Sequence, residues 1–163
     1  MGLALWAYAN IQPAEGSFKF DGACEVHDAQ TNQIRNDLIG LYVHPSYPAW
    51  ADGIEPLQAY RFSHSENFHI GSYTYYSRFR DWLSSLAENG HVDQPGDPFY
   101  ELIVFSDCEG VINSTISAKL LVDFVRFHAK AKASPEAEYH ILAYESMMRA
   151  FQVASVNGVV SFH

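Results

Sequence analysis

Apolar positions along this chain follow two rhythms, and the change between them falls near residue 70. The first part holds short apolar runs. Leu3 to Asn10 is apolar and aromatic without helical spacing and predicts a strand. Ser17 to His27 alternates loosely through Phe18, Phe20, Ala23, Cys24 and Val26, with Asp21-Gly22 between its halves as a hairpin signal. Leu38 to Val43 and Leu57 to Ser63 predict further strands. Between these runs, Gln12 to Gly16 reads as a turn and Asp28 to Asp37 as a short helix or a surface loop. His44 to Pro56 carries three prolines and one glycine, which predicts a long loop without regular structure.

After residue 70 the apolar residues recur at three and four. Tyr73, Tyr76, Phe79, Leu83 and Leu86 predict a helix over Ser72 to Asn89, with Gly90 just past its end. Ile116, Leu120, Phe124 and Phe127 predict a second helix, capped by Asn113 or Ser114. Lys119 and Asp123 fit an i,i+4 pair on its exposed side. Ser134-Pro135-Glu136 opens a third helix, with Tyr139, Leu142, Ala143, Ala150 and Phe151 on its apolar side and a Glu145–Arg149 pair outside. Asn157-Gly158 ends it, and Val159 to Phe162 predicts a last strand. Phe99 to Phe105 interrupts the helical rhythm and predicts a buried strand.

These elements predict one α+β or mixed α/β domain over residues 1–163. Its expected form is a single sheet of about four to six strands with hairpin-like strands first and three helices packed on it. Leu57–Ser63, the first helix and Phe99–Phe105 would form one right-handed βαβ unit. No repeat, low-complexity tract or linker interrupts the chain.

Composition narrows the function. The 163 residues are 48% hydrophobic and 18% charged, as in a protein with a packed core. A net charge of −9 argues against a nucleic-acid partner and leaves room for a basic protein partner. The first residues lack a signal sequence, Trp6 breaks the myristoylation pattern after Met-Gly, and no run approaches a membrane span. A cytoplasmic protein is expected. The two cysteines, Cys24 and Cys108, form no CxxC motif.

In a parallel βαβ unit, the loops His64–Ser72 and Ser106–Ser114 would leave the sheet on the same edge, where open α/β sheets bind ligands. They offer His64, Glu66, His69, Asp107, Cys108 and Glu109, with Ser72 and Tyr73 at the first helix start. Asp107 and Glu109 can serve as a general acid–base pair, and Cys108 as a nucleophile if a nearby histidine or helix start lowers its pKa. His64, His69, Asp107 and Glu109 are adequate metal ligands, but their spacing matches no established site, and no cofactor is implied. Each has a plainer reading: paired acids solvate a turn, Cys108 fills it, Gly110 supplies positive φ, and Ser72 caps a helix.

The segments FHIGSYTYYSRFRDWL and PFYELIVFSDCEGVINSTISAKLLVDF resemble an uncharacterised family of small bacterial and phage-associated proteins. In that family a G-S-Y-x-x-Y-x-x-x-R-like helix start precedes P-F-x-E-L-I-x-F-S-D-C-E-G-x-I. The resemblance covers roughly residues 68–127 and implies no activity. Asn113-Ser114 departs from it, standing where a Gly-Pro pair is expected.

The resulting expectation is a non-enzymatic protein-interaction factor of accessory or immunity-like type. The alternative is a small hydrolase or ligand-binding protein using loops 64–72 and 106–114.

Overall fold

A computed structural model describes residues 2–22, 24–106 and 109–163. Its fold is α+β, and the described residues form nine strands and four α-helices. The strands make three sheets rather than one. The largest contains β1 (Gly2–Ala9), β7 (His64–Ser72), β8 (Gly110–Asn113) and β9 (Val159–Phe162), ordered β7-β1-β9-β8. Every pairing in it is antiparallel. A small sheet joins β2 (Gln12–Pro13), β5 (Ile39–Gly40) and β6 (Ala59–Arg61). The predicted hairpin is β3 (Phe18–Asp21) with β4 (Glu25–Asp28).

The expected βαβ unit is therefore absent, for a local reason. Phe99 adopts positive φ (61°), and the chain then makes one short helix, α2 (Tyr100–Val104). The left-handed turn is held by Asp123, whose Oδ2 accepts the Phe99 N–H at 2.9 Å. Phe99, Leu102 and Phe105 are buried from that turn and helix as fully as they would be from a strand. An apolar run this short does not separate the two states.

The helical rhythm after residue 70 reads true. Helix α1 (Tyr73–Leu86) starts on Ser72, whose hydroxyl accepts the Tyr75 N–H at 3.1 Å. It stops at an Ala87 cap, short of the expected Asn89. Helix α3 (Ser114–Ala133) starts on Asn113, which accepts the Ile116 N–H at 2.9 Å. Helix α4 (Ala137–Ala154) starts later than the expected Ser134 cap: Glu136 stands at its cap position, and Ser134 instead closes α3. The long loop contains one 3-10 turn, Pro48–Ala51, and the polar stretch 28–37 is turns, not helix. Gly110 has φ 133°, as its place in a turn suggested.

Alternation along β1 separates the two faces of the large sheet. Leu3, Leu5, Ala7 and Ala9 point to one side with Ile112, Val160 and Phe162, and pack with α1, α2, α3 and α4 into the main core. Val111 and Val159 point to the other side and pack with Ile11, Ile39, Leu41 and Tyr60 in a second core.

Two ion pairs differ from expectation. Lys119 and Asp123 do meet, at 2.8 Å, but Asp123 is only 7% exposed and belongs to the α2 anchor. Arg149 pairs with Glu66 on β7, and Glu145 with His128 on α3. Cross-element partners displaced the expected i,i+4 pair.

Candidate functional site

The second face of the large sheet carries Ala4, Trp6 and Tyr8 from β1, and beside them Ser161 and His163 in and just after β9. Ala4 and His163 exchange backbone hydrogen bonds, with N···O distances of 2.9 and 3.0 Å. At this end of the sheet lies a cleft of about 340 Å³ lined by Gly2, Cys24, Tyr42, Tyr73, Glu109, Phe162 and His163. Cys24 also lines a shallower groove of about 420 Å³, which runs between Trp6, Tyr8 and Phe62 and the β3–β4 hairpin. The two depressions thus adjoin at one cysteine.

Polar groups converge in the cleft. Cys24 Sγ lies 4.0 Å from His163 Nδ1, the outer limit of a thiol hydrogen bond, and His163 Nε2 lies 3.0 Å from Ser161 Oγ. Burial pushes the Cys24 thiol up; a hydrogen bond from Ser161 opposes this and the charge of Glu109 adds to it. Burial pushes His163 down, against the pull of Glu109. Thiol and imidazole are thereby both held toward their neutral forms, opposite to the thiolate–imidazolium pair of a cysteine nucleophile. Burial likewise raises the Tyr8 phenol far above its ordinary value.

The sequence candidates are distributed differently from the expectation. The expected loop 64–72 is strand β7 itself, and the expected loop 106–114 contains strand β8. The two strands occupy opposite edges of the sheet, with β1 and β9 between them, so the expected pair of loops on one edge does not form. His64 begins β7 opposite Ala9, at the far end from the cleft, where its Nε2 contacts Glu66 Oε1 at 2.8 Å. His69 pairs with Ala4 near the cleft end, and Ser72 serves as the α1 cap. Tyr73, the first residue of α1, and Glu109, from the second segment, do line the same cleft. Asp107 and Cys108 lie outside the described residues.

Among the described residues, His64, His69 and Glu109 form no metal-ligating group; one group of that kind occurs, Asp21, Glu25 and His27 on the hairpin. The sequence reading missed Gly2, Cys24, Tyr42 and His163. Only one signal was available: the period of two in β9 places Ser161 and His163 together, opposite Val160 and Phe162.

Comparison with family models, curated proteins and solved structures found no match to this chain. None of the described helices is long and apolar enough to cross a membrane.

Proposed function

We propose that this chain is a non-enzymatic binding protein that takes a cationic group, the lysine or arginine side chain of a basic protein partner, into the cleft between Tyr42, Tyr73 and Glu109. One observation carries the reading: Glu109, Tyr42 and Tyr73 line the same depression of about 340 Å³, in a chain of net charge −9. A cation beside a carboxylate and over aromatic rings gains from both, with the ring contribution about 0.5–1 kcal/mol at an exposed site. The volume lies in the range of small-ligand sites, and the chain's negative field favours approach of a basic surface.

The hydrolase alternative has weaker support. Its two segments supply strands on opposite edges of the sheet, and among the described residues the thiol–imidazole contact in the cleft is biased toward neutrality. The family resemblance brings no activity to either reading. A cytoplasmic setting fits the proposal.

The test is an NMR titration with a short lysine- and arginine-containing peptide against a glutamate-containing control. Resonances of Tyr42, Tyr73 and His163 are expected to shift with the basic peptide alone, and the affinity to fall in Glu109→Gln and at raised salt. Equal response to both peptides, or unchanged affinity in Glu109→Gln, overturns the reading.

A further inference from the structure

We propose that Asp21, Glu25 and His27 form a binding site for a divalent transition-metal ion, with zinc the ion that best suits the donor set. The hairpin register builds the group. Asp21 stands directly across from Glu25 in the last pair of the β3–β4 ladder, and Glu25 and His27 are two residues apart on one strand, so all three share a face. One ligand atom from each lies within 4.8 Å of the other two.

The histidine brings a nitrogen ligand to the two acids. His27 Nε2 lies 2.8 Å from Glu25 Oε1, and its Nδ1 faces the Asn32 carbonyl oxygen at 3.4 Å. When the ring hydrogen sits on Nδ1, Nε2 presents its lone pair beside the carboxylate, and a metal ion at about 2.0–2.2 Å from each atom takes the place of the Nε2–H···Oε1 hydrogen bond. A backbone carbonyl on the far ring nitrogen is the usual way a ligating histidine is fixed in tautomer and orientation.

The donor set also chooses the ion. One imidazole nitrogen with two carboxylates suits zinc and its neighbours, whereas calcium and magnesium favour all-oxygen shells with more ligands. The Glu25 side chain is half exposed (50%), which gives an ion access, while that of His27 is mostly buried (14% exposed), which holds the ring still. Lys19, across from His27 on the same face, is exposed and opposes the site electrostatically. The site is separate from the Tyr42–Tyr73–Glu109 cleft and does not depend on its function.

Calorimetric titration of tag-free protein with zinc tests the site. One equivalent is expected, with His27→Gln and Glu25→Gln each weakening binding by at least about tenfold while circular dichroism stays unchanged. Addition of zinc is also expected to move the Nε2 resonance of His27 more than that of any other histidine. Cobalt in place of zinc should show ligand-field bands without thiolate charge transfer. The proposal is overturned by the absence of binding, by wild-type affinity in both variants, by a shift centred on another histidine, or by thiolate bands from cobalt.

Discussion

The backbone N–H of Phe99 and the ammonium of Lys119 share one carboxylate oxygen of Asp123, at 2.9 and 2.8 Å. Lys119 also reaches Glu101 at 2.7 Å and the Asp97 carbonyl at 2.8 Å. One side chain from α3 thereby holds the left-handed turn that lets α2 form, and with it the burial of Phe99 against Phe124 and Phe127. Asp123→Ala leaves a buried N–H without an acceptor and Lys119 with one carboxylate fewer. A loss of about 2–4 kcal/mol is expected in urea unfolding. Asp123→Asn keeps an acceptor and should cost less. Equal losses in the two variants would contradict the hydrogen-bond account.

Glu66 gives acid stability a defined window. Hydrogen bonds from Arg149, then His64, hold its carboxyl down to about 2. A depressed acid contributes stability that is present above its ordinary value, about 4.3, and is lost as pH falls toward 2. Glu66→Gln is therefore expected to flatten the dependence of unfolding free energy on pH between about 4.3 and 2, leaving the slope above pH 6 unchanged. An identical acid limb in wild type and variant would remove this pair from the account.

His140 acts in a higher window. It packs against Trp82, with ring centroids 4.9 Å apart, and its Nδ1 lies 3.2 Å from the Tyr75 hydroxyl, which itself donates to the Tyr139 carbonyl. Burial pushes its pKa down, against a smaller pull from Glu136. The unfolded chain then takes up this proton more readily, so the contribution is complete above about 6.5 and declines as pH falls through the lower folded value. In His140→Phe, the difference in Tm between pH 8 and pH 5 should narrow. A difference as large as that of the wild type would sink the assignment.

Gly158 closes the turn from α4 into β9 against β1. A Cβ placed there would lie 1.9 Å from the Tyr8 carbonyl oxygen and 3.0 Å from Ala154 Cα. Backbone atoms cannot swing aside as a side-chain tip can, so Gly158→Ala is expected to cost at least about 2–3 kcal/mol. Thermal unfolding measures it, and a Tm within one or two degrees of wild type, of order 0.5 kcal/mol or less, would mean that the β1–β9 junction yields.

The helices were legible because their evidence is local. Tyr76, Phe79, Leu83 and Leu86 repeat on one face of α1, and Ser72 and Asn113 each cap a helix from the expected position. The Phe99–Phe105 segment was not legible, since the acceptor that decides its conformation, Asp123, lies 24 positions along the chain. The error then spread: a strand there implied a parallel unit, and a parallel unit implied loops meeting on one edge. The cleft was largely hidden for a similar reason. Tyr73 and Glu109 stood among the candidates, but Gly2, Cys24, Tyr42 and His163 come from four distant segments. No spacing rule joins such residues; the antiparallel closure of β9 beside β1 does.

That closure also sets an order of events during synthesis. The strand at Val159–Phe162 sits inside the large sheet, between β1 and β8, so both neighbours lack a partner on that side until it emerges from the ribosome. Leu5 must wait for Phe162, more than 150 positions later. Such distant pairing slows folding, because the entropy of closing the loop is lost before its contacts form. Meanwhile the apolar edges of β1 and β8 are open to other chains. Expression with residues 159–163 removed should therefore send this protein to the insoluble fraction, whatever its helices do.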